Sequence, residues 1–173
     1  MTLPDVFESR EVALLVGMSP LFLNRLVERE LHGIKPSLRS EVDTGGRRWF
    51  SKEDLFGIGL VFWLFEAGLR AGSGKKRTSV IQKVLDEIVG KGNASANEAA
   101  QRLTKLQVPV LAIIQQIYPY RESREVRKLE VRFMEKQELE ADDPHLLNLY
   151  DVMIQIPVGN LFDRLENLIG HRI

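Results

Sequence analysis

Gly17-Met18-Ser19-Pro20 compresses a helix stop and a helix restart into four residues, and this constrains the N-terminal third more than any other feature. Glycine ends a helix readily because it accepts a left-handed backbone. Serine caps the next helix, and proline suits its first position, where no amide hydrogen is required. Before the stop, Val12, Ala13, Leu15 and Val16 form the apolar side of a short helix, with Ser9 as its expected cap. After the restart, Leu21, Leu23, Leu26 and Val27 carry a second helix to about Arg29. Two short helices joined by so tight a turn make a helix-turn-helix pattern.

The chain then changes period. Leu38 to Val42 reads as a strand, Asp43-Thr44-Gly45-Gly46 as a turn, and Arg47 to Phe50 as a returning strand. Strand neighbours face opposite ways, so Phe50 is expected beneath the hairpin and Trp49 partly exposed. Ser51 caps a third helix whose apolar positions are Leu55, Ile58, Phe62, Phe65 and Leu69, with Glu53 and Asp54 at its positive end. Gly57 and Gly59 weaken that helix but admit a close neighbour.

The order EVALLVGMSP, Leu23, GGRRWFSKEDL and a helix ending FEAGL resembles the DNA-binding domain of MerR-family transcription regulators, over about residues 7–70. The resemblance implies a winged helix-turn-helix whose second helix enters the major groove and whose hairpin arginine, here Arg48, touches the phosphate backbone. Ser19 and Pro20 match the helix start, and Phe50 and Ser51 the positions after the hairpin. Where the family often has arginine and then tyrosine, this chain has Asn24 and Arg25, and its connector from Glu30 to Ser37 is longer. Ser19, Leu21, Phe22, Asn24 and Arg25 are the expected groove-facing residues. Asn24 is suited to an adenine edge, and Arg25 to a phosphate or a guanine. Arg39, Arg47 and Arg48 are expected on the backbone, where they fix register without reading sequence. The expected partner is double-stranded DNA and the expected state a homodimer, with one recognition helix per protomer in successive major grooves. Two other classes share such a module: an excisionase-like DNA-architectural protein, and a protein-interaction adaptor. Glu28, Glu30, Glu41 and Asp43 beside the expected DNA face favour the adaptor.

The expected fold class is α+β and mainly helical, with the module over residues 1–71, a linker at 72–77 and a small α+β dimerisation or effector domain over 78–173. Ala71-Gly72-Ser73-Gly74-Lys75-Lys76-Arg77 has the composition of a flexible joint. Beyond it, Thr78 to Val89 and Ser95 to about Leu106 read as amphipathic helices. Val108 to Ile117 is apolar and β-branched but holds Pro109, which predicts an edge strand, a buried helix being the alternative. Leu129-Val131-Phe133 and Val152-Ile154-Ile156 alternate as strands, and a helix carrying Leu161, Phe162, Leu165, Leu168 and Ile169 follows Pro157-Val158-Gly159.

Other chemistry finds little foothold. The 173 residues include no cysteine, which excludes disulfides, thiolate metal sites and cysteine nucleophiles and fits a reducing cytoplasm. His32, His145 and His171 are too scattered for a metal motif, and each is expected on the surface or in a loop. Phosphate loop, nucleophile elbow and dinucleotide glycine pattern are all missing, so neither enzyme activity nor a cofactor is expected, and no motif names a small-molecule effector. Asp142-Asp143 and the Glu135, Glu138, Glu140 cluster read as solvated. No apolar run reaches the roughly eighteen residues of a membrane span, and no secretion signal is evident. Net charge is zero, with a balance of +2 over residues 1–77 and −2 over 78–173. Binding phosphate needs a local basic face, not a basic total.

Overall fold

A computed structural model describes residues 6–39, 48–69, 79–117, 126–135 and 151–171. The fold is α+β and mainly helical. In chain order its elements are β1 (Val6–Glu8), α1 (Ser9–Val16), α2 (Pro20–Glu28), a 3-10 turn (Leu31–Gly33), β2 (Leu38–Arg39), β3 (Arg48–Ser51) and α3 (Lys52–Glu66). Then come α4 (Val80–Val89), α5 (Ala96–Lys105), β4 (Val110–Ile117), β5 (Val126–Met134), β6 (Asp151–Ile156) and α6 (Val158–Gly170). Among the described residues, no helix is long and apolar enough to cross a membrane. The joint at 71–77, the turn at 43–46, and Arg47, Asp142, Asp143 and His145 lie outside the described residues.

The first helix ends where Gly17 takes a left-handed conformation, φ +84°. Its cap, however, is Glu8 and not Ser9, which is already helical. Glu8 has extended backbone because it also closes β1, and its amide donates to the Glu11 carboxylate at 2.9 Å. The acid three positions on, rather than the hydroxyl, thus sets the boundary. Ser19 caps α2 as its spacing predicts, its hydroxyl accepting from the Phe22 amide at 3.2 Å. β1, a strand the sequence did not signal, pairs antiparallel with β3, and β3 with β2, in the order β1-β3-β2. Phe7 faces Phe50 across this sheet, and both rings are fully buried. Trp49, on the opposite side of the pleat, is half-buried.

In the second half, Pro109 misled the edge-strand expectation. β4 is the central strand of an antiparallel sheet ordered β5-β4-β6. Pro109 sits one residue before it, so no ladder donor is lost. Its carbonyl instead accepts from the Gly159 amide at 3.0 Å. A Cβ on Gly159 would lie 3.1 Å from the Pro109 Cα, so α6 starts hard against the entry to β4. Leu111 and Ile113 on one face of β4 join the core, with Val131, Leu129 and Ile154 packed beside them.

The core is one cluster from Phe7 to Leu165, and α3 is its axis. Leu55, Ile58, Leu60, Val61 and Leu64 are all at most 1 % exposed. A helix apolar on nearly every side must be covered on nearly every side. α1, α4, α5 and α6 supply that cover. Gly57 permits the closest approach: a Cβ there would fall 2.1 Å from Asn97 Oδ1 and 2.9 Å from the Asn97 amide. This is the close neighbour that the two glycines predict.

Candidate nucleic-acid interface

α2 buries Leu23, Leu26 and Val27, a spacing that turns the opposite side outward. That outward side carries Leu21, Asn24, Arg25 and Glu28, all exposed, with Leu21 at 60 %. β3 brings Arg48 to its edge. The Arg48 Nη1 donates to Asn24 Oδ1 at 3.5 Å, at the outer limit of a hydrogen bond. Residues 24 apart in the chain thus share one exposed surface, and two further cations, Arg25 and Arg29, follow one helical turn apart. Among the described residues Arg48 forms no ion pair, so its charge is held by a neutral amide and faces solvent.

The other expected contact residues divide. Ser19 and Pro20 are exposed at the start of α2. Arg39 pairs with Arg48 through the β2–β3 ladder, which sets the two backbones side by side. Phe22 turns the other way. Its ring packs on Phe62 and Phe65, centroids 6.0 and 4.8 Å away, and it anchors α2 to α3. Edge-to-face and tilted aromatic contacts of this kind account for the side chain without any ligand. Leu14 on α1 is 82 % exposed, a further large apolar side chain open to solvent.

Behind this surface, one carboxylate fixes the elements that carry it. Asp54 is 3 % exposed and accepts from the Ser51 amide at 2.9 Å, from the Ser37 amide at 3.2 Å and from the Ser37 hydroxyl. Its second oxygen accepts from Asn97 Nδ2 at 2.8 Å. Four donors from three segments therefore converge on a single buried anion. Its place in the first turn of α3 predicts only a helix-dipole role for Asp54. Nothing local announces Ser37 and Asn97 as its partners.

His32 corrects an expectation outright: it is buried, at 8 % exposure, and not a loop surface residue. It adopts φ +57°, in the left-handed region, inside the 3-10 turn. The Gln82 amide nitrogen donates to Asp86 and to the Ala94 carbonyl, so its oxygen is free to accept from His32 Nδ1 at 3.1 Å. Nε2 is buried with no hydrogen-bond partner among the described residues. Burial holds the His32 pKa below the usual histidine value, and the Gln82 hydrogen bond opposes that shift.

A cleft of about 590 Å³ lies on the far side of α3, between α5 and α6, lined by Phe56 and Phe162 with Lys52, Lys105, Asp163 and Glu166 around them. Lys52 bridges it by pairing with Glu166. No residue expected to contact DNA lines it. Among the described residues, no group of three or more His, Asp or Glu could hold a metal ion. No family model matches this chain, and no curated protein matches it.

Proposed function

We propose that the chain is a sequence-specific DNA-binding transcription regulator, acting as a homodimer through a winged helix-turn-helix of the MerR type. The observation that carries this reading is the meeting of Asn24 and Arg48 on one exposed surface. The first is chemically suited to a base edge and the second to a phosphate. In the free protein the long Arg48–Asn24 contact is weak, so it gives way cheaply. On DNA, Arg48 turns to the backbone and releases the Asn24 amide, whose acceptor and donor then match adenine N6 and N7. Arg25, one residue further along α2, takes a phosphate or a guanine. Arg39 and Arg47 are the further phosphate contacts that the MerR resemblance implies.

The test is selection of random duplex over several rounds at two salt concentrations, with Arg48→Ala and Asn24→Ala alongside. A two-fold symmetric motif is expected. Arg48→Ala should weaken all sequences alike and lower the salt slope by about one phosphate contact. Asn24→Ala should relax preference at one position, by about 1 to 3 kcal/mol of discrimination. Salt-sensitive binding without a motif would favour the architectural class. The exposure of Leu14, Leu21 and Glu28 favours a protein-interaction adaptor instead. Absence of DNA binding at both salts would select that reading.

A further inference from the structure

Among the described residues, the nine-residue strand β5 is bonded to β4 alone and so forms the rim of its sheet. Such a rim presents backbone donors and acceptors to any strand that can match it. The residues at its centre read Leu129-Glu130-Val131-Arg132-Phe133. Around Val131 this is a palindrome in shape and an antipalindrome in charge: apolar, acid, valine, base, apolar. Reversal, which is what a two-fold axis imposes, turns the acid onto the base.

Register decides whether that matters. In an antiparallel pair, residues directly opposite share a face and lie about 4.5 to 5.5 Å apart at Cβ. Leu129, Val131 and Phe133 share the inner face through their partners Gln115, Ile113 and Leu111. Glu130 and Arg132 share the opposite face, beside their partners Ile114 and Ala112, and within one chain Arg132 Nε already donates to Glu130 at 2.7 Å. If two copies of β5 pair about Val131, Glu130 of each meets the partner's Arg132, twice by symmetry. On the inner face, Leu129 meets the partner's Phe133, also twice, and Val131 meets its own copy. Phe133, now 39 % exposed, gains cover. Faces match only if the register moves by whole two-residue steps in the sum of positions. One step in either direction sets Glu130 against Glu130, or Arg132 against Arg132. The sequence thus admits one self-pairing and penalises its neighbours. β6, at the other rim, has no comparable charge pair across its centre: Asp-Val-Met-Ile-Gln-Ile.

We propose that β5 is a homodimer interface, pairing antiparallel with β5 of a second copy about Val131 to make one continuous sheet through both protomers. This deepens the reading above, on which the expectation of a dimer rests, and gives the dimer a surface.

Sedimentation equilibrium of the full chain tests it, with Glu130→Arg, Arg132→Glu and the double charge swap. Wild type should be dimeric in the micromolar range. Each single variant turns two attractive pairs into two repulsive ones and should raise the dimer Kd roughly 10- to 100-fold. The deciding sample is the mixture. Glu130→Arg carries two bases and Arg132→Glu two acids, so neither regains the pair within its own chain. Across the interface both pairs return, and the mixture should form heterodimers with near wild-type Kd. The double swap should also dimerise, which covers the case of a poorly folded single variant. A monomeric wild type, single variants as tight as wild type, or a mixture that stays monomeric would each overturn the interface. DNA binding is read on the same samples: binding by a monomeric wild type overturns this interface and the homodimer but spares DNA binding, whereas a charge-dependent dimer without DNA binding upholds the interface and removes the regulator reading.

Discussion

Two helices in this protein begin with the same local signal and use it differently. α3 opens Ser51-Lys-Glu-Asp54, and α5 opens Ser95-Ala-Asn-Glu98. In both, the serine hydroxyl accepts from the amide three residues on, and the acid there returns a bond to the serine amide. At α5 the exchange stays local. Glu98 keeps 42 % of its side chain exposed and, among the described residues, takes Lys91 as its one further charged partner. At α3 the acid is buried, and Ser37 and Asn97 have been added to it. Asp is one methylene shorter than Glu, which keeps the carboxylate close to the backbone where other segments can close over it. The capping box is therefore a local rule, and burial decides whether it becomes a tertiary joint.

The largest effect should come from breaking that joint. Asp54→Ala removes one anion and strands the Ser51 and Ser37 amides, the Ser37 hydroxyl and the Asn97 amide near the core. A loss of about 3 kcal/mol is expected from urea unfolding, because buried donors left without partners each carry a desolvation cost. Glu98→Ala, in the same assay, should cost clearly less. Equal losses for the two would mean that both acids act only as helix caps.

This contrast also explains what could be read in advance. Helix starts at Ser19 and Ser51, the stop at Gly17 and the alternation in β5 and β6 follow from neighbours within four residues, so they were legible. The outward placement of Asn24 and Arg25 was expected from the MerR resemblance, which placed Phe22 with them. Phe22 was legible as an aromatic but not as a partner of Phe62 and Phe65, because that contact depends on how α2 leans on α3. The loop composition around His32 predicts an exposed ring. Its burial comes from Gln82, 50 residues away, whose own orientation is set by Asp86 and Ala94. The central place of β4 was hidden by Pro109, which a shift of one residue makes harmless.

His32 too joins the first half of the chain to α4, through its hydrogen bond to Gln82. Its pKa is lowered in the folded state mainly by burial, so protons bind the unfolded chain more readily. Stability is retained above the unfolded value of about 6.5 and declines as pH falls below it, at up to about 1.4 kcal/mol per pH unit. His32→Asn tolerates the positive φ and removes the titration. Unfolding free energies from pH 8 to pH 5 should show the variant weaker at pH 8, with the two curves converging as the wild type loses stability. Parallel curves would mean that burial of the ring does not govern this window.

The smallest effect belongs to the local cap. The Lys91 ammonium, and then the Ser95 amide and hydroxyl, hold the Glu98 carboxyl well below the usual range, at about 2. A carboxyl depressed on folding adds stability that is full above its unfolded value, about 4.5, and disappears as pH falls toward 2. Glu98→Gln keeps an acceptor for the Ser95 amide and removes only the charge. Wild type and variant should therefore differ slightly at pH 7, and the difference should close between pH 4.5 and 2. Because Lys91 and Glu98 meet in solvent, molar salt should shrink the pH 7 difference further. The buried Asp54 joint should respond far less to the same salt. A salt response of equal size at the two sites would show that solvent reaches both carboxylates alike, and the distinction between local cap and tertiary joint would fail.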